Sequence, residues 1–98
     1  MMLLFKRDII FKQFLPVIEG LKELEKPKDF PVTTGLVKIY QTNWSDNKVL
    51  RIANELDLKL VKDNKKAASF EKVDRKFDVV LIYNKNDKSI MIAISKRR

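Results

Sequence analysis

The run FDVVLIYNKNDKSIMIAISKRR, Phe77 to Arg98, constrains the fold more than any other part of the chain. Two apolar stretches rich in β-branched residues flank the polar tetrapeptide NKND. Such stretches favour extended backbone, and a short polar break between them favours a hairpin. Ile90, Ile92 and Ile94 alternate with Met91, Ala93 and Ser95, so both faces of this strand are largely apolar. Such a strand is expected at the centre of a sheet with both faces covered, and helices are the natural cover.

The preceding sequence supplies candidate helices. Ile10, Phe14, Val17/Ile18, Leu21 and Leu24 recur at helical spacing after Asp8, a capping residue type. Pro16 interrupts this pattern, because it lacks an amide proton and clashes with the preceding turn. A kink or two helical pieces are expected, with Pro16 opening the second and Pro27 ending it. PKDFPVTTG, Pro27 to Gly35, reads as loop. LVKIYQT, Leu36 to Thr42, reads as a strand with Val37, Ile39 and Gln41 on one face.

Ser45 then offers an N-cap, and Val49, Ile52/Ala53 and Leu56 form a short apolar stripe. DLKLVKD, Asp57 to Asp63, reads as a short strand. In NKKAASFEKVDRK, Ala67, Phe70, Val73 and Phe77 are spaced 3, 3 and 4 apart, which favours a helix over 64–76. The alternative is the second strand of a hairpin turned at Asp63-Asn64. The expected fold is one small α+β domain spanning residues 1–98: an N-terminal helix plus a mostly antiparallel sheet ending in a central β-hairpin. A chain of 98 residues buries only a modest core, so a homodimer is a reasonable expectation.

With no Cys and no His, the chain has no disulfides, Cys/His zinc sites, Ser-His or Cys-His nucleophile pairs, or imidazole acid–base chemistry. Gly20 and Gly35 are the only glycines, too few for a Gly-rich phosphate loop. No cofactor is expected. MMLLF is too short for a signal-peptide core, and its cations follow it. No apolar run approaches the roughly 20 residues of a membrane span. The expectation is a cytoplasmic protein with no membrane partner, one that could work inside a host cell.

The net charge of +8 is unevenly distributed: residues 1–57 carry +1 and residues 58–98 carry +7. A basic half of this kind draws nucleic acid, nucleoprotein or acidic protein surfaces. Lys62, Lys65, Lys72, Lys76, Lys96, Arg97 and Arg98 are the candidate contacts. On a helix over 64–76, Lys65, Lys72 and Lys76 would share one face opposite the apolar stripe. Trp44 has two readings. It can staple the helix begun at Ser45 by packing against Val49, or anchor a partner, with Tyr40 as a second anchor candidate.

Two motif families bear on the sequence. Over its last hairpin the chain is similar to divalent-metal nucleases of the PD-(D/E)xK type, with Asp78 as first acid and Lys96 as lysine. That resemblance implies a second carboxylate at the position of Ile94, which cannot bind metal. SDNKVLRIANELDLKLV has one helix of a helix-turn-helix, but no second helix and no turn glycine follow.

In its size, its Lys/Ile/Asn bias and its lack of Cys, His and enzyme motifs, the chain resembles the short proteins of viruses infecting hot-spring archaea. That resemblance implies either DNA binding or inhibition of a host CRISPR effector complex, and it carries no site. The sequence expectation is a small non-enzymatic binding protein whose basic C-terminal half engages nucleic acid or a nucleoprotein. An interaction module that occludes a host enzyme complex is the alternative.

Overall fold

The computed structural model describes residues 6–26 and 35–97. In chain order the elements are α1 (Lys6–Phe11), a 3-10 turn (Lys12–Phe14), α2 (Leu15–Ile18), β1 (Lys22–Leu24), β2 (Leu36–Gln41), α3 (Asp46–Glu55), β3 (Lys59–Asp63), β4 (Ala67–Asp74), β5 (Phe77–Asn84) and β6 (Ser89–Lys96). The six strands form one antiparallel sheet in the order β1-β2-β6-β5-β4-β3. The expected α+β domain with a β-hairpin at its centre is what the chain forms.

The hairpin β5–β6 pairs Val79 with Ile94, Leu81 with Ile92 and Tyr83 with Ile90. Directly opposed residues of antiparallel strands share a face. These six side chains are buried, together with Ala68 and Phe70 of β4 and Tyr40 of β2. Ile10, Phe14 and Ile18 from the N-terminal segment and Val49, Ile52 and Ala53 from α3 join the same core. Burial of an aliphatic or aromatic side chain stabilises by about 1.5–3 kcal/mol, so this face drives folding. The connection from β2 to β3 crosses the sheet through α3, over β6, β5 and β4. The helices therefore lie on one face only. Among the described residues nothing covers the other face of the central hairpin, contrary to the sequence expectation of cover on both sides.

Pro16 acts as expected. It sits in the first turn of α2, after the 3-10 turn that breaks the helix begun in α1. The apolar stripe does not continue as helix to Leu24. Gly20 has a φ of +82°, which ends the helical segment, and Lys22–Leu24 then pair with β2. Gly35 enters β2 so close to β6 that a Cβ there would strike the Ile94 carbonyl oxygen.

The segment assigned to a helix over 64–76 is β4, the second strand of the β3–β4 hairpin. Asn64 turns this hairpin: its Oδ1 accepts from the amides of Lys66 and Ala67 at 2.8 and 3.0 Å. Asn and Asp side chains compete with helical bonding in this way. The 3, 3, 4 spacing is coincidental, because Phe70 and Phe77 face the helices whereas Ala67 and Val73 face away.

Ser45 caps α3 by accepting from the Lys48 amide at 3.2 Å. Trp44 precedes that cap and is buried with Val49, the arrangement of a hydrophobic staple. At the other end, Leu58 N donates to Ala53 O (2.8 Å) and Asp57 N to Asn54 O (3.1 Å), the two bonds of a Schellman cap. Asp57 occupies its left-handed position, with a φ of +60°.

Glycine is the favoured residue at such a position, since a Cβ there is penalised. Asp57→Gly should therefore stabilise the fold by about 0.5–1 kcal/mol and raise the melting temperature by a few degrees. Thermal unfolding followed by circular dichroism checks this; an unchanged or lower midpoint contradicts the reading of the cap. A second expectation concerns alkaline pH. Burial, with a smaller contribution from Asp46, raises the Tyr83 phenol above its ordinary value, and its Oη donates to the Trp44 carbonyl at 2.7 Å. A raised folded value means that the tyrosine's contribution is complete below the unfolded pKa of about 10 and is lost as pH rises through the folded one. Stability should fall above pH ~10, and Tyr83→Phe should flatten that fall while losing about 1 kcal/mol at neutral pH. Denaturant midpoints measured against pH for both proteins test the pair of effects.

Candidate nucleic-acid interface

Strand geometry redistributes the cations that a helix would have placed on one face. β4 is eight residues long, so its ends lie about 25 Å apart. Lys62 and Lys65 are exposed at the upper end of the sheet, beside the turns 64–66 and 85–88. Lys76, Lys96 and Arg97 are exposed at the lower end, where β4 turns into β5 and β6 finishes. Arg98 lies outside the described residues.

Lys72 belongs to neither end. It points from β4 toward the helices, where its Nζ donates to Gln13 Oε1 at 2.5 Å and to the Leu56 carbonyl at 2.7 Å. Gln13 Nε2 donates in turn to the Ile10 carbonyl at 2.8 Å. Lys72 thus ties the sheet to the N-terminal helical segment and to the end of α3. Its expected place on a binding face is corrected to a structural one.

At the upper end one lysine is paired and the turn is tied down, while the side chains of Lys62, Lys65, Lys66 and Lys88 are exposed. Lys85 Nζ lies 2.6 Å from Asp63 Oδ1, and this bond raises the ammonium pKa. The Lys88 carbonyl accepts from the Thr42 amide and hydroxyl, each at 2.8 Å, and from Gln41 Nε2 at 3.1 Å. Asn84 Oδ1 accepts from the amides of Asn86 and Asp87. The turn NKND is therefore latched to the end of β2.

The lower end is built differently. Asp74 pairs with Phe77, so Arg75 and Lys76 form a two-residue hairpin loop. Both have positive φ, +52° and +71°. Loops of this kind need left-handed backbone at both positions, which Asn-Gly supplies at least cost. Here the two positions carry a guanidinium and an ammonium. The Arg97 amide donates to the Lys76 carbonyl at 2.9 Å, which fixes the end of β6 beside the turn. Arg75, Lys76, Lys96 and Arg97 are thereby gathered at one end. Two acids temper them: Asp74 lies 3.7 Å from Arg75 Nε, and Asp78 lies 3.9 Å from Arg97 Nε. Among the described residues no ion pair engages Lys76 or Lys96. Arg75 belongs to the same basic segment of the sequence, but a helical face over 64–76 leaves it out. Its signal was present in DRKF, two cations at a turn between two strand-forming runs.

The aromatic candidates are inside the protein. Trp44 is 3% exposed and Tyr40 is 6% exposed, so neither can anchor a partner in this conformation. Burial and the neighbouring Glu23 raise the Tyr40 phenol pKa. Trp44 borders an open groove of about 630 Å³ between α2 and α3. That groove pairs Lys48 and Arg51 with Glu19 and Glu55, so its charges balance. The nuclease-like pair does not converge: Asp78 stands opposite Ser95 on the uncovered face, and Lys96 stands opposite Phe77 on the helix side. Ile94, at the position of the second acid, is fully buried. Nor does the helix-turn-helix form, as β3 follows α3 directly. Among the described residues no helix is long and apolar enough to cross a membrane.

No protein family, no curated protein and no solved structure matches this chain.

The structural role of Lys72 predicts a specific result. Lys72→Met keeps the length and removes the donor, leaving the Leu56 carbonyl and Gln13 without their partner. It should destabilise the fold by about 1–3 kcal/mol and leave affinity for any polyanion unchanged. Chemical denaturation and a binding titration on the same variant check both halves.

Proposed function

We propose that this is a small binding protein, not a catalyst, that engages the phosphate backbone of nucleic acid, free or within a nucleoprotein, through the lower end of its sheet. The observation that carries the reading is the turn Arg75-Lys76. Two long cationic side chains sit where left-handed backbone favours Asn-Gly, at a cost of about 1 kcal/mol each. Strain kept at an exposed turn is a pointer to function, because stability alone would have selected other residues. The register then brings Lys96 and Arg97 to the same end, and backbone strand ends set at fixed spacing suit a charged polymer better than a small ligand. Contacts of this sort read phosphates without reading bases. The burial of Trp44, Tyr40 and Tyr83 fits that mode, since it leaves no stacking role for them.

Fluorescence anisotropy with labelled duplex and single-stranded oligonucleotides tests the reading. About four phosphate contacts predict that affinity drops roughly a hundredfold over a fourfold rise in salt. The double substitution Arg75→Asn and Lys76→Gly should lower the slope of log affinity against log salt by about two. The same variant should unfold at a higher temperature than the parent. Loss of binding with a gain in stability is the expected combination. Absence of binding to either oligonucleotide at low salt, or binding untouched by the double substitution, overturns the proposal.

A further inference from the structure

The uncovered face of the sheet is apolar at its centre. One cross-strand row runs Leu24, Ile39, Met91, Ile82 across β1, β2, β6 and β5. The next row runs Val37, Ala93, Val80. All seven side chains are half-buried, and among the described residues no helix packs on them. A polar row, Gln41, Ser89 and Asn84, borders them above, and Ser95 and Asp78 border them below. An apolar centre with a polar border is the anatomy of a protein–protein interface.

We propose that two copies of the chain meet through this face, sheet against sheet, in a symmetric dimer. Size supports a second copy. Strands about 4.8 Å apart and same-face residues about 7 Å apart give the whole face roughly 600 Å² of projected area, close to the ~800 Å² that each partner contributes to a standard interface.

The placing of charge is compatible with it. Around that centre on the same face stand Lys22, Lys59, Lys62 and Arg97 with Glu71 and Asp78, and Asp78 lies beside Arg97. The border is therefore mildly basic, four cations against two acids, whereas none of the seven central positions is charged. Like charges of two copies stay at the rim, where they remain in water when the centre is covered. A two-fold contact buries each apolar patch against itself and leaves no charge without a partner in the centre. Leu24, Ile39, Ile82 and Met91 also line a hollow of about 350 Å³, into which a partner's side chains can pack.

Edge-to-edge pairing is the competing way to join two sheets, and β3 is built against it. Its register shifts between Leu60 and Lys62, and Lys59 and Lys62 lie along it. A bulge and edge lysines are established protections against strand addition. The face has no such protection.

The test uses the full chain without nucleic acid, at about 0.5 M salt, where screening limits charge effects to a few ångströms. Sedimentation equilibrium should give twice the 11.5 kDa chain mass. Ile82→Lys and Met91→Lys, made singly, should each return the 11.5 kDa monomer with an unchanged circular dichroism spectrum. Leu60→Lys on the edge strand should leave the dimer intact. Should the lysine variants fail to fold, Ala93→Cys supplies a second readout. The parent has no cysteine, so mild oxidation should link two copies through that position, whereas Glu55→Cys on α3 should not link. A monomer at every concentration, or a dimer lost in Leu60→Lys but kept in both face variants, overturns the proposal. The outcome is independent of nucleic-acid binding, which is absent from the experiment.

Discussion

Everything in this fold depends on burying one face of the β5–β6 hairpin. Val79, Leu81, Tyr83, Ile90, Ile92 and Ile94 are each almost wholly removed from water. Neither helical segment is long enough to be stable by itself, since α1 has six residues, α2 has four and α3 has ten. The helices persist because the hairpin gives Ile10, Phe14, Ile18, Val49, Ile52 and Ala53 a surface to leave water for. The polar bonds at that interface then fix position more than they supply energy. Lys72 reaching Gln13 and Leu56, and Tyr83 reaching the Trp44 carbonyl, set where the two helical layers sit on the sheet.

Much of this architecture was legible in local sequence, and the illegible parts have one cause. The hairpin, β2, the Ser45 cap and the break at Pro16 are each marked by residues that act on their own backbone. The span 64–76 is not. Ala67, Phe70, Val73 and Phe77 match a helical stripe, yet an odd step along a strand changes face, so these four divide between two surfaces. What decides the matter is pairing with β5 across eight residues, a non-local interaction that spacing does not encode. The same holds for Leu21 and Leu24. Their helical phase is correct, but Gly20 ends the helix first and β2 offers a partner strand. Cover on both sides of the hairpin was likewise a matter of chain path, since the β2–β3 connection passes over one face only.

The candidate site shifts for the same reason. Composition placed the excess charge in the C-terminal half, and there it remains. The shared helical face of Lys65, Lys72 and Lys76 became an upper turn, an internal tie and a lower turn. The grouping that replaces it joins Arg75 and Lys76 to Lys96 and Arg97, twenty residues further along the chain. That juxtaposition exists only because β5 and β6 have equal length and pair without a bulge.

The two surfaces proposed for this protein follow from one separation. A sheet whose helices all lie on one side has three environments: the covered face, the open face and the strand ends. Desolvation disfavours charge on the first unless it is hydrogen-bonded, as Lys72 is. On the second, charge is confined to the border, where Lys22, Lys59, Lys62, Arg97, Glu71 and Asp78 stand around an uncharged centre. Further cations gather at the ends, where turns are solvated and long side chains reach outward. A chain that bound polyanions through its open face would place its field over apolar surface and hinder self-association. With the field at the ends, association of two copies and attraction of a polyanion do not compete. A face-to-face dimer would instead carry the Arg75-Lys76 turn twice, and two equivalent basic ends would engage one polymer with higher avidity than either alone.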